Sequence, residues 1–312
     1  MIAVLLGAGF SKWAANLPLA AELFDFDITP HNRRDKQRLV RISELKCEWD
    51  VRNPGGLSEQ FIFDAIHSSQ RARRLAVWYI TRRLSEPFVG TMLGGTQALM
   101  IDDRRKLQHE GIRRARSFLL GLSHLRHSGL ITTNYDLLIE YALGSDGFNY
   151  GVLGQELAGR GKNPWFPWQG LPVRASGNTR LAKIHGSVSW DERHHYTDGR
   201  CGVRGDALIV PPSPAKEPPE SLRSTWELAA SILEAARYLL VFGFAFNPYD
   251  EAVSRLLRTA GSTLQKVLLV DLNPKSQQAN QVCPNALVTA CPPPPEGDAN
   301  IAEWLASSAG VR

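Results

Sequence analysis

The chain has 312 residues, 43% of them hydrophobic and 21% charged, with a formal net charge of +5. That length can bury a sizeable core, the balance is that of an ordinary globular protein, and no apolar run approaches the ~20 residues that span a bilayer. Four scattered cysteines (Cys47, Cys201, Cys283, Cys291) contain no C-x-x-C pair, which argues against a disulfide framework and a four-cysteine zinc site and suits a reducing cytoplasm. The first apolar run, 3–6, has no basic stretch before it and meets Gly7, Gly9 and Lys12 at once. It reads as a first strand and not as a signal peptide.

Residues 19–116 follow, holding 18 Lys/Arg against 13 Asp/Glu, whereas the remainder holds 18 of each. The whole basic excess therefore lies in this segment. Within it 57–69, 71–84 and 102–122 read as helices, the last running back towards the main domain. The segment is expected to be a helical insertion in a single domain that spans 1–312. Its arginines (Arg71, Arg73, Arg74, Arg82, Arg83) form either solvated helix faces or a surface for a partner protein or nucleic acid. Trp78 and Tyr79 suit the apolar face of a helix.

Further short runs rich in leucine or β-branched residues, 129–132, 180–184, 207–210, 238–242, 266–270 and 286–289, predict buried parallel strands. Helical patterns at 137–143, 225–237, 250–259 and 301–307 lie among them. Such alternation predicts an α/β fold with a doubly wound parallel sheet, whose ligands bind at the carboxyl ends of the strands. Residues 144–179 are rich in Gly, Pro and Trp and read as a long loop or small subdomain. The proline runs 211–219 and 292–295 read as connectors.

Polar motifs stand at those carboxyl ends. Gly7-Ala8-Gly9-Phe10-Ser11 follows the first strand: Gly7 permits a tight turn and Gly9 lets backbone approach a pyrophosphate, or the turn simply packs. The third glycine of a dinucleotide fingerprint is replaced by Lys12. Thr132-Thr133-Asn134-Tyr135-Asp136 follows the second strand, where Asn134 or Asp136 could equally start the next helix as an N-cap. Lys183-Ile184-His185-Gly186-Ser187 places a histidine where it can titrate in a crevice, or be a satisfied core residue. Gly243 to Asp250 combines a glycine for close approach with Pro248 and Asp250 for a helix start. Asp271 and Asn273 end the next strand, where an acid and an amide could hold ribose hydroxyls.

Taken in order, G-A-G-x-S, T-x-N-x-D, H-G-S, a glycine-rich strand end and D-x-N resemble the sirtuin superfamily from Gly7 to Asn273. The wording looks most like the bacterial sirtuin-like NAD hydrolases of anti-phage defence. The resemblance implies that Gly7, Ala8, Gly9 and Ser11 cover the NAD phosphates. It implies that Asn134 holds the nicotinamide ribose beside Thr132, and that Asp136 bonds the nicotinamide carboxamide. His185 would be the catalytic base, Gly243 and Ala245 the second phosphate-side loop, and Asp271 with Asn273 the adenosine-ribose contact. NAD would then be the substrate, cleaved to nicotinamide and ADP-ribose. The chain lacks the paired cysteines of the deacylase zinc module, and Leu17-Pro18 leads into Leu19-Ala20-Ala21 where deacylases have Asp-Phe-Arg. No zinc is expected; His194, His195 and Cys201 would be a small metal site or solvated loop residues. The alternatives are an NAD-dependent protein deacylase and a non-catalytic regulatory subunit that binds NAD or ADP-ribose. With no sensor domain evident, a homo-oligomer or a separate activating partner is expected, and no membrane.

Overall fold

The computed structural model describes residues 1–26, 28–30, 32–85, 103–123, 125–143, 147–151, 165–166, 171–172, 178–191, 207–211, 220–247 and 250–294. Its centre is a seven-stranded sheet in which every pair is parallel. In chain order these strands are β1 (Ile2–Leu6), β2 (His127–Thr132), β3 (Phe148–Asn149), β6 (Thr179–Lys183), β9 (Tyr238–Phe242), β10 (Lys266–Val270) and β11 (Leu287–Cys291). Two short antiparallel pairs stand apart: β4 (Trp165–Phe166) with β5 (Leu171–Pro172), and β7 (Gly186–Asp191) with β8 (Ala207–Ile209).

Across the sheet the order is β11-β10-β9-β1-β2-β6-β3. The chain builds outwards from β1 through β2 and β6, then returns past β1 to lay down β9, β10 and β11 on its other side. The strand order therefore reverses between β1 and β9, which opens a crevice beyond their carboxyl ends. β1 is buried along its whole length, and β9 and β10 at all but their first residue. Strands covered on both faces need continuous apolar sequence rather than alternation, and IAVLL, YLLVF and KVLLV supply it.

Nine α-helices appear among the described residues: α1 (Ala8–Ala15), α2 (Arg33–Arg52), α3 (Ser58–Ser68), α4 (Gln70–Ser85), α5 (Asp103–Ser123), α6 (Leu138–Leu143), α7 (Arg223–Glu234), α8 (Glu251–Ala260) and α9 (Ser276–Val282). α7 packs on β2 and β6, with Ile232 seated over Gly129. α1 and α5 pack together, and Phe10, Trp13, Phe118 and Phe242 join them to β9 through ring contacts of 5.1–5.9 Å. α2, α3 and α4 share aromatic packing in which Phe24 stacks on Tyr79 at 5.1 Å and meets Phe61 edge-on at 4.8 Å. Trp78 and Tyr79 are both fully buried.

Several sequence expectations change. The run expected at 207–210 joins no parallel sheet; it pairs antiparallel with Gly186–Asp191 after a turn at Gly186, whose φ is +87°. α2 appears where no helix was expected, and so does α9. The run expected at 286–289 is β11, one residue later at its start and two at its end. The helix expected at 301–307 lies outside the described residues, as do Pro248 and most of 144–179.

Candidate functional site

β1 passes directly into α1, so the glycine motif is a helix start. Gly7 is the N-cap, with extended backbone at φ −103° rather than a left-handed turn. Glycine is needed there for another reason. A Cβ on Gly7 would lie 2.4 Å from the Gly243 carbonyl, and one on Gly9 would lie 2.5 Å from the Gly243 Cα. Gly7 N–H donates to the Phe242 carbonyl and Gly9 N–H to that of Gly243, each at 2.9 Å. The two glycine loops thus meet backbone to backbone at the reversal of strand order. Gly243 has φ +64° and Phe246 φ +50°. A left-handed non-glycine residue is uncommon and collects at functional loops. Ala245, between the buried Phe244 and Phe246, is exposed.

The segment after β2 supplies the polar centre. Thr132, fully buried, donates to the Leu6 carbonyl at 2.8 Å and accepts the Asn134 backbone N–H at 3.0 Å. That fixes the loop which carries Asn134. The Asn134 amide donates to the Gly7 carbonyl and to the Ser11 hydroxyl, both at 2.9 Å. Ser11 in turn donates to Asp136 Oδ2 at 2.8 Å. The direction of this chain follows from Gly7, whose carbonyl only accepts. Both amide hydrogens of Asn134 are therefore committed, and its Oδ1 is left to receive a donor from the crevice. Asp136 Oδ1 accepts the Leu138 N–H at 2.9 Å, so Asp136, and not Asn134, serves the start of α6. Ser11 is buried and turned into this network, while Ala8 and Gly9 keep partial exposure.

β2 and β6 pair with Thr132 opposite Lys183. Asn134 and His185 each stand two residues beyond that pair, so the register brings them to corresponding places on neighbouring strand ends. His185 is buried, and Nε2 lies 3.5 Å from Oδ1 of Asp250. Burial pushes the imidazole down to about 4, against a smaller raising effect of a hydrogen bond to the Thr133 backbone. Burial, then the charge of Glu59, pushes Asp250 up to about 7. At neutral pH the imidazole is unprotonated and can accept a proton.

Three members of this neighbourhood went unread in the sequence. Asp250 looked like a helix starter and is the N-cap of α8, yet its side chain makes no capping bond. Its Oδ1 is buried with no hydrogen-bond partner among the described residues. Glu59 comes from α3, and its Oε1 accepts the Asn247 amide at 3.1 Å. Behind the loop, Lys183 is fully buried and donates to the Asp136 carbonyl and, at 2.7 Å, to Glu140 Oε1. Tyr150 donates to the same oxygen at 2.8 Å. A lysine ending an apolar strand gives the only sequence signal of such a pair: a charge where the pattern demands burial.

Asp271 and Asn273 follow β10, two strands from β1. Asp271 accepts the Asn273 backbone N–H at 2.8 Å in a local turn, and Asn273 is exposed. Among the described residues no group of three His, Cys, Asp or Glu is placed to hold a metal ion; His194, His195 and Cys201 lie outside them. No helix among the described residues is long and apolar enough to cross a membrane.

Residues 128–282 match the family model of the SIR2-like domain. The match runs from β2 to the end of α9 and includes Asn134, Asp136, His185, Gly243 and Asp250, which supports the sirtuin superfamily. It begins after α1 and the helices α2 to α5. No curated protein matches the sequence. A structure of Sir2Tm bound to a propionylated peptide aligns at 14% identity with a TM-score of 0.39, covering 100% of this chain and 94% of that one. A structure on the mechanism and regulation of Sir2 enzymes aligns at 14% identity with a TM-score of 0.41, covering 100% and 93%.

Proposed function

We propose that this SIR2-like domain hydrolyses NAD at the nicotinamide–ribose bond, giving nicotinamide and ADP-ribose. The observation that carries the proposal is the pair of groups on adjacent strand ends: an amide oxygen held open at Asn134 and an unprotonated imidazole at His185. Departure of nicotinamide leaves an oxocarbenium-like ribose, which needs an acceptor to orient its hydroxyls and one activated water. Asn134 Oδ1 accepts from the ribose or from that water. His185 takes a proton from a ribose hydroxyl or from the water, a contribution typically worth about 10²–10⁴ in rate. Asp136 receives the carboxamide end. In this reading Gly7, Ala8, Gly9, Gly243 and Ala245 receive the phosphates, Ser11 supports them from within the Asn134–Asp136 network, and Asp271 and Asn273 take the second ribose. No zinc is required in this scheme. By its motif wording the chain would deplete NAD in anti-phage defence.

Purified protein incubated with NAD, followed by chromatography, tests the reading. The expected products are nicotinamide and ADP-ribose in equal amounts without any peptide. Turnover that depends on an acetylated peptide would instead identify a deacylase. Tight binding of NAD or ADP-ribose with no turnover would identify a regulatory subunit.

A further inference from the structure

Asp250 is an acid without a structural task. It is the N-cap of α8, where an acid ordinarily turns an oxygen to the N–H groups of the first turn, yet its side chain makes no such bond. The residue is only 9% exposed, and Oδ1 is buried with no hydrogen-bond partner among the described residues. A covered carboxylate oxygen without a donor costs free energy, and native proteins keep few of them. This one stands 3.5 Å from Nε2 of His185.

Both partners are held by other parts of the fold. The Asp250 N–H donates to the Asn247 carbonyl at 2.8 Å, and Glu59 of α3 accepts the Asn247 amide at 3.1 Å. The His185 carbonyl accepts the Val210 N–H at 2.9 Å. Tyr135, whose ring lies 6.3 Å from the imidazole, donates to the Val210 carbonyl at 3.1 Å. The titratable groups around Asp250 are therefore His185 after β6, Glu59 from α3 and Tyr135 from the loop after β2. Burial, then Asp250 and Glu59, push the Tyr135 phenol up, so it stays neutral.

A base as buried as His185 meets an obstacle when it acts. Taking a proton creates an imidazolium where burial disfavours charge, which holds the ring down to about 4. Once protonated, the ring carries hydrogen on both nitrogens, and the one on Nε2 faces an acceptor of opposite charge. The separation exceeds the roughly 2.7–2.9 Å of a charge-assisted bond, as catalytic contacts commonly do before substrate enters.

We propose that Asp250 is a positioning residue of the NAD-cleaving site, a role that rests on the hydrolysis reading above: its carboxylate orients the His185 ring and stabilises the imidazolium formed as the histidine takes a proton from the attacking water. In that step the bond between the ribose and nicotinamide breaks, and its electron pair leaves with nicotinamide. The water oxygen bonds the ribose carbon and one water proton passes to His185, which then releases it to solvent. Asp250 stays ionised throughout. Burial and Glu59 hold Asp250 up at about 7, so the working carboxylate is gained as pH rises through neutrality.

The test combines NAD-cleavage kinetics with nitrogen-15 NMR of the His185 ring in wild type, Asp250→Asn and Glu59→Gln. Asp250→Asn keeps the shape and deletes the charge. Its kcat should fall about 10²-fold, the lower end of what a positioned base supplies, with KM little changed, as when an interaction made only in the transition state is lost. In wild type kcat/KM should rise with pH through about 7, and the Nε2 resonance should move over the same range. Asp250→Asn should lose both changes. Glu59→Gln should shift both to lower pH, because a negative charge that favours the protonated acid is gone. Undiminished kcat in Asp250→Asn, or a pH profile that this variant leaves unmoved, overturns the role and leaves the hydrolase reading standing. An Nε2 resonance that ignores pH near 7 in wild type also overturns it. If Asp250→Asn fails to fold, Glu59→Gln decides: a downward shift supports the role and an unmoved profile overturns it. A wild-type protein whose resonance moves as expected but which cleaves no NAD overturns the hydrolase reading itself, and this role with it.

Discussion

His185 Nε2 and Asp250 Oδ1 face each other at 3.5 Å, and burial drives both towards their neutral forms. Asp250 is held at about 7 against an ordinary 3.8. Between those values the folded chain binds more protons than the unfolded one, so this group's contribution to stability falls as pH rises from about 4 to about 7. His185 acts oppositely. Held at about 4 against 6.5, it makes stability rise with pH across that window. Asp250→Asn removes the first effect alone. The variant is expected to gain stability relative to wild type from pH 5 to pH 8, by of order 1–4 kcal/mol at the upper end. Urea melts of both proteins at the two pH values measure this. A gain that does not grow with pH would show that Asp250 is ionised in the folded state well below neutrality.

Glu59→Gln keeps an oxygen for the Asn247 amide and deletes a negative charge. Glu59 raises Asp250, so its loss should lower the Asp250 midpoint. Carboxyl-carbon NMR titration should show that downward movement. An unmoved midpoint would mean that α3 does not reach the site electrostatically.

His185→Ala is expected to abolish NAD cleavage. The side chain is only 6% exposed, so a stability cost of about 1–3 kcal/mol accompanies the loss. Asp250→Asn provides the comparison, because it leaves the imidazole in place. Near-wild-type turnover in His185→Ala would remove the proposed base.

Asn134→Ala deletes bonds to Gly7 and Ser11. Turnover should disappear, and the melt should fall by about 1–2 kcal/mol because two buried acceptors lose a donor. Ser11→Ala keeps Asn134 but frees one amide hydrogen. It should raise KM and lower kcat together, as a positioning residue does. If Ser11→Ala leaves both constants unchanged, the relay from Asn134 to Asp136 plays no part in orientation.

Lys183→Met leaves Glu140 charged and buried beside Tyr150, and breaking such a pair typically costs about 3–5 kcal/mol. Lys183→Met with Glu140→Leu should recover most of that loss. Chemical denaturation of the single and double variants measures the difference; a double variant as weak as the single one would show that Lys183 acts chiefly through the Asp136 carbonyl.

The parallel sheet was legible because its central strands β1, β9 and β10 are buried on both faces and therefore continuous in apolar residues. The motifs at the strand ends were legible because Gly7, Asn134, His185 and Gly243 interrupt those runs abruptly. α2 was not, since only Asp35, Ile42 and Trp49 of its twenty residues are buried, too few for a visible stripe. Its start at Asn32, whose side chain accepts the Asp35 N–H at 2.9 Å, was the available signal. β8 showed the right residues in the wrong sheet, because a three-residue apolar run does not encode the direction of its partner. Glu59 could not have been found: it stands 188 residues from the Asn247 that it touches, and no local pattern distinguishes it from the other acids of a helix start.

A Cβ on Gly111 of α5 would fall 2.6 Å from the Cβ of Ala15 at the end of α1. The chain that departs from the sheet after α1 therefore comes back to the point it left. An excursion whose two ends touch can lengthen, shrink or be exchanged without displacing β1 or β2. One thread ties the excursion to the strand ends: Glu59 of α3, which holds Asn247, so an exchange of these helices would spare the sheet but change the charge beside Asp250.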